Sequence, residues 1–237
     1  MKCDLCPRKC LVDRKKGEKG ICGQTENLKV ARAALHFWEE PCISGDAGSG
    51  AVFFSGCPLH CVFCQNENIA NGTVGKEISL ERLVDIFLEL QEKRANNINL
   101  VTPGHFVPQI VKALDQARKE GLTLPVVYNT SSYETVDTIK MLEGYVDIYL
   151  PDFKYTDSAY AKRYSNAPDY FDVTKAALAE MVRQHPAPQF TDKQEAAVRG
   201  IEEGIMTGGV IVRHLMLPGL LKDTKAVIRY LYETYGD

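Results

Sequence analysis

Three cysteines stand close together in SGCPLHCVFCQN, as Cys57-x3-Cys61-x2-Cys64. Three thiolates on one tight loop can cap three irons of a [4Fe-4S] cube and leave the fourth iron free of protein. Four-cysteine ligation would saturate the cluster and suit electron transfer alone. An open iron suits chemistry, by the logic that separates open catalytic zinc sites from closed structural ones. The competing reading adds His60 or Cys42 to the three and makes a structural zinc site. A second set, Cys3-x2-Cys6-x3-Cys10 with Cys22, lies in CDLCPRKCLVDRKKGEKGICG. Four thiolates suit a tetrahedral zinc or a fully ligated iron–sulfur cluster equally well. Cys42 remains as a small apolar residue.

All eight cysteines fall between Cys3 and Cys64. A disulfide scaffold would spread them through a short secreted chain, so clustering here points to metal. The first residues, MKCDLCPRKC, contain no apolar signal-peptide core, and no stretch approaches the roughly 20 apolar residues of a membrane span. With net charge −3 and no long basic run, nothing indicates a nucleic-acid or membrane-surface partner. A cytoplasmic protein is expected.

The elements that must position these cysteines follow from hydrophobic period. AVFFSG reads as a buried strand feeding directly into the cysteine loop. Further strands are expected at 98–103, 124–130, 146–153 and 209–219. Helices are expected over SLERLVDIFLELQEKR with Ser79 as N-cap, over FVPQIVKALDQARKEG ending at Gly121, around 134–142, and over 222–235. Strands alternating with helices predict an α/β fold, a partial TIM-like (β/α) barrel of about five parallel strands. The last helix has no strand after it, so the barrel lacks a sixth strand or the chain is a fragment. Residues 1–45 are expected as a Cys-rich metal-binding segment and 46–237 as the barrel, with GDAGSG (45–50) as a flexible connector. Function in such folds gathers at the C-terminal strand ends. Thr102 to His105, Asn129 to Ser132, Asp152 to Lys154, and Arg213 with His214 all fall there.

At this point the sequence resembles the radical S-adenosylmethionine (SAM) superfamily, whose CxxxCxφC signature is matched with Phe63 as the aromatic. It resembles more closely the group related to pyruvate formate-lyase-activating enzymes. CDLCPRKC, FFSGCPLHCVFCQN, NLVTPGHFVPQI, LPVVYNTSSYE, VDIYLPDFKY and VRHLMLPG carry that likeness. The resemblance implies that SAM chelates the open iron and is cleaved reductively to a 5′-deoxyadenosyl radical, which takes a hydrogen atom from substrate. It implies a reductant such as flavodoxin or ferredoxin, and a glycyl-radical enzyme as a protein substrate; a small molecule or peptide is the alternative. Phe63 would pack near adenine, and Asn129 and Ser131 would meet the ribose. Thr102 stands where relatives place a Gly-Gly-Glu segment for SAM's amino group. Asp152 and Lys154 match an Asp-x-Lys pair facing SAM or a carboxylate, and Arg213 could clamp a carboxylate bidentately. The reading from another class is an iron–sulfur electron carrier or a zinc-stapled binding protein.

Overall fold

Apolar runs too short for helices become strands here, and the amphipathic runs between them become helices. The structure, a computed structural model, describes residues 2–236. In chain order the elements are β1 (Lys29–His36), α1 (Pro41–Ser44), β2 (Ser49–Phe54), α2 (Glu67–Ala70), β3 (Lys76–Glu77), α3 (Leu80–Glu92), β4 (Ile98–Val101), α4 (Val107–Lys119) and β5 (Val126–Thr130). They continue with α5 (Val136–Lys140), β6 (Ile148–Pro151), α6 (Ser158–Ser165), α7 (Tyr170–Gln184), β7 (Gln189–Phe190), α8 (Lys193–Arg199), β8 (Met206–Val210) and α9 (Leu221–Tyr235).

These strands form one eight-stranded sheet in the order β3-β1-β2-β4-β5-β6-β8-β7. Neighbours from β2 through β4, β5 and β6 to β8 run parallel. They are the five strands expected from sequence, and they make the α/β class and the mostly parallel sheet of a partial barrel. Three antiparallel strands enlarge the sheet: the long β1 on β2, and the two-residue β3 on β1 and β7 on β8. The expected count of five is therefore low. The missed β1 reads KVARAALH, alanine-rich and weak in intrinsic strand preference; pairing with β2 supplies what local propensity lacks.

The fifth strand lies earlier than expected, at Met206–Val210 rather than 209–219. Beyond Val210 the backbone keeps only a thin ladder to β6, Ile211 N to Tyr149 O and Arg213 N to Pro151 O, ending in a bridge between Asp152 and Arg213. Between Lys154 and Ile205, where the sequence reading assigns no element, stand α6, α7, β7 and α8. The connector at 45–50 is tied into the fold: Glu202 accepts hydrogen bonds from the amides of Asp46 (2.9 Å) and Ala47 (2.7 Å), and Ser49 and Gly50 already belong to β2.

Alternation along each strand splits the sheet into two faces. Val52, Phe54, Ile98, Leu100, Val126, Tyr128 and Tyr149 join the core built with buried residues of α3 and α4. Ser79 caps α3 as expected, accepting from the Arg82 amide. The opposite, inner face carries Val127, Ile148, Leu150 and Met206, covered by Ile43 of the short helix α1. Asn97 Nδ2 donates to Ile43 O (2.7 Å) and Asn96 Nδ2 to Ser44 O (2.9 Å), which fixes that plug in the sheet's concavity. Among the described residues no helix is long and apolar enough to cross a membrane.

Candidate active site

The cysteine loop leaves β2 at its C-terminal end. Gly56 takes φ +90, and a Cβ there would meet Cys22 O at 2.4 Å, so only glycine lets the N-terminal segment press against this turn. The Leu59 amide donates to Cys57 Sγ (3.5 Å), Ser165 Oγ donates to Cys61 Sγ (2.9 Å), and the Val62 amide donates to Tyr164 O (2.9 Å). Thus α6, unseen in the sequence, braces the loop from the side. The thiols of Cys57, Cys61 and Cys64 act electrostatically on one another. Burial pushes Cys57 up to about 11 against the amides of Leu59 and His60; Cys61 is also raised by burial, against the pull of Lys154 and the Ser165 hydroxyl. Desolvated thiols that still receive hydrogen bonds are a donor set completed by metal cations, which favour the thiolate.

Neither candidate fourth ligand joins them. The ring nitrogens of His60 lie 2.9 Å from Ile21 O and 3.0 Å from Asn71 Oδ1, and Cys42 packs with Ile43 on the inner face. Among the described residues no three His, Cys, Asp or Glu side chains are arranged to hold a single metal ion. Three thiols on one loop can serve an iron–sulfur cluster with one iron left free of protein, or a zinc that takes a further donor.

A polar network continues from the cysteines into the inner face. Lys154, which feels the charge of Cys61 and Cys57, donates to Asp152 (2.6 Å). Arg213 then spans three acceptors: Asp152 Oδ1 (3.0 Å), Glu39 Oε1 (2.9 Å) and Asn129 Oδ1 (2.6 Å). Glu39 Oε2 in turn accepts from Asn99 (2.9 Å) and Asn129 (3.0 Å). Burial alone would raise Asp152, but Lys154 and Arg213 outweigh it and hold the carboxyl below its ordinary value. Burial would likewise lower Lys154, but Asp152 and the two cysteines hold it above. The Asp152–Lys154 pair expected from alternation is thus present as the centre of a partly buried charge network.

Glu39, Glu40 and Asn99 escaped the sequence reading. The two glutamates lie on an irregular turn between β1 and α1, and Asn99 interrupts the otherwise apolar strand INLV; that interruption was the available signal. The remaining expected residues are distributed as follows. Phe63 packs in an aromatic cluster with Leu59, Tyr133, Tyr155 and Tyr170 beside Cys57 and Cys61. Thr102 takes φ +56, its amide bonded to Asn129 O (2.9 Å), and leads to Gly104, where a Cβ would meet the Glu134 carboxylate at 2.5 Å. Asn129 is engaged by Arg213 and Glu39, while Ser131 offers its carbonyl to the Tyr170 hydroxyl (2.8 Å). Two histidines of the rim are structural. His105 is buried and bonds Ser55 O (2.8 Å) beneath the cysteine loop, and His214 ties Phe153 O (2.7 Å) to Thr224 of α9 (3.0 Å).

The N-terminal cysteines dock beside this loop. Cys6 feels Cys22 and Cys10, and Cys22 feels Cys3 and Cys10, so the four thiols gather although 12 positions separate Cys10 from Cys22. Gly20 lies against them: a Cβ there would stand 2.9 Å from Cys10 Sγ. Arg8 is the clamp. It donates to Pro58 O (2.9 Å), Ser165 O (3.1 Å) and Asn166 O, and its guanidinium lies 5.0 Å from the centre of the Tyr133 ring. A surface hollow of about 290 Å³ lies behind this segment, lined by Pro7, Lys9, Glu134 and Asp169 among others; it does not include the signature cysteines.

Comparison with known proteins agrees with this geometry. The family model described as the radical SAM superfamily matches residues 51–187, more than half of the chain, spanning β2 through α7. An uncharacterised protein of Methanocaldococcus jannaschii is 32% identical over 179 residues, covering 73% of this chain and 51% of that protein. The chain therefore spans about half the length of the relative it matches. On the matched residues and the cysteine loop they contain, the chain belongs to the radical SAM superfamily.

Proposed function

We propose that Cys57, Cys61 and Cys64 hold a [4Fe-4S] cluster with one open iron, and that the protein uses it to cleave SAM reductively and take hydrogen from a substrate seated on the inner face of the sheet. The observation that carries this reading is the three-thiol loop joined to the charge network through Lys154. When bound, cluster and SAM supply one-electron chemistry that no amino-acid side chain provides. The protein's own residues do the rest. Ser165 and the Leu59 amide hydrogen-bond the ligating sulfurs, which tunes a cluster's potential. Phe63 and its aromatic neighbours shield the loop from water. Lys154 balances negative charge at the cysteines and is itself fixed by Asp152.

The likeness to activating enzymes suggests a glycyl-radical protein as substrate. The inner face favours the other choice, a small molecule or peptide with polar groups, because a glycine offers no side chain to meet Glu39, Asn99 or Arg213. Cys3, Cys6, Cys10 and Cys22 form a second metal centre in this reading, zinc or iron–sulfur, clamped to the signature loop by Arg8.

The test is anaerobic reconstitution with iron and sulfide, reduction by dithionite, addition of SAM, and chromatography for 5′-deoxyadenosine. A variant with Cys57, Cys61 and Cys64 changed to Ala runs in parallel. Product from the native protein alone is the expected result. A fully loaded protein that yields none, and whose reduced paramagnetic resonance signal ignores SAM, would leave the electron-carrier reading in its place.

A further inference from the structure

The inner-face network holds acceptors that it does not use. Asn99 is fully buried; its Nδ2 donates to Glu39, and its Oδ1 has no partner. Glu40 Oε2 is likewise buried and receives no donor; its carboxyl lies against that of Glu39, and its Oε1 lies 3.7 Å from Arg213. A buried acceptor left unmatched is a standing cost that a donor-bearing ligand removes.

The sign of the missing partner follows from the charges. The Glu39 and Glu40 carboxyls lie against each other, and with Asp152 they face Arg213 and Lys154, both of which are already engaged. Arg213 uses its Nε and both terminal nitrogens on Asp152, Glu39 and Asn129, so an incoming anion would find no free fork. A bare divalent ion is also disfavoured, since these carboxylates do not converge as ligands of one metal do. Asn99 stands deeper than the rim: it pairs in register with Val127, two residues before Asn129 on β5, whereas Asp152 and Arg213 bridge beyond the strand ends, and Glu39 joins the two levels. Glu40 stands on the turn into α1, the helix that plugs the inner face.

We propose that the substrate carries a primary amine or guanidine, and that this cationic donor seats on Glu40 and Asn99 with Glu39 beside them. The inference rests on the inner face being the reaction chamber. SAM has an ammonium of its own, so the experiment separates the two sources.

Agmatine and 1,5-diaminopentane serve as probes, with glutarate and 1,5-pentanediol as anionic and neutral counterparts. Binding to the reconstituted protein is measured by ligand-observed NMR, with and without saturating SAM, and 5′-deoxyadenosine formation is followed on the same samples. The amines are expected to bind, the counterparts not, and SAM to leave the amines in place. E40Q, which keeps the side chain's shape, should weaken amine binding about tenfold, the effect of removing one charge-assisted hydrogen bond; its thermal melt confirms folding. Equal binding of the diol, tighter binding of glutarate, or an unweakened E40Q would overturn the proposal. Displacement of the amines by SAM would overturn it too, by assigning the acceptors to SAM. Loss of amine selectivity in protein that still cleaves SAM sinks this inference alone. Amine binding in loaded protein unable to cleave SAM would sink the chamber reading and the substrate assignment together.

Discussion

Glu134→Gln should make the protein's stability respond to pH differently, by an amount that the structure sets. The Glu134 carboxyl is buried near the end of the β5–α5 connection, where it accepts from Thr130 Oγ1 (2.8 Å) and Tyr128 OH (3.2 Å). Burial pushes its pKa from 4.5 up to about 7, despite those two donors. A carboxyl raised in the folded state contributes stability that is complete below the unfolded value and is lost as pH rises through the folded one. The loss between about pH 4.5 and 7 amounts to roughly 3 kcal/mol, at 1.36 kcal/mol per pKa unit. His105 works the other way. Burial lowers it from 6.5 to about 4, so its contribution is present above pH 6.5 and is lost as pH falls through 4.

In the native protein these two slopes oppose each other between pH 4.5 and 6.5; E134Q removes the Glu134 slope and keeps that of His105 and of every other group, so the difference between the two proteins isolates Glu134. The variant's added amide needs an acceptor, and lacking one it costs about 1–3 kcal/mol, but that penalty is independent of pH and shifts the curve without tilting it. Urea unfolding at pH 5, 6, 7 and 8 measures the difference. The stability of E134Q relative to the native protein should rise by about 3 kcal/mol from the acid to the alkaline end. At this chain length that corresponds to a relative gain of about 6–12 °C in Tm. A gap that stays constant across the series would refute the reasoning.

Arg8→Ala removes three hydrogen bonds to carbonyls and a cation–π contact, loosening the N-terminal segment by about 2–4 kcal/mol. Hydrogen exchange should rise in residues 2–28 and in the cysteine loop while α3 and α4 keep their protection; uniform protection throughout would contradict the clamp. Ser165→Ala deletes the donor to Cys61 Sγ and should make the reduction potential of the reconstituted cluster more negative, read by potentiometric titration. Asp152→Asn leaves Arg213 and Lys154 without their shared carboxylate and should cost about 1–3 kcal/mol in urea unfolding, a buried-pair loss reduced by partial solvent access. Ser79→Ala, far from the site, should cost about 1 kcal/mol through the lost cap of α3, without altering SAM cleavage.

Much was legible in the chain because it is local. The cysteine spacing, the five apolar runs, the Ser79 cap and the Asp-x-Lys alternation each lie within a few residues of sequence, where period and side-chain type suffice. The parallel sense of β2, β4, β5, β6 and β8 followed from strands alternating with helices. The strand β1 did not, since its alanine-rich sequence becomes a strand only when β2 offers a ladder. Helix α6 was missed, and with it the Ser165 hydroxyl that reaches Cys61 across 104 positions.

The charge network is the clearest case of what sequence alone could not decide. The chain determined that Arg213, Asp152 and Asn129 sit near strand ends, and nothing local could say what they touch. Glu39 meets Arg213 across 174 positions because α1 folds back into the sheet's concavity and carries its preceding turn onto the inner face. Likewise the N-terminal cysteines reach the signature loop through long-range contacts: Arg8 finds carbonyls at Pro58, Ser165 and Asn166, and His60 meets Ile21 O. Side-chain types are written into the sequence; which of them meet is decided by long-range packing, since hydrogen bonds across such separations form only after the sheet has brought their elements together.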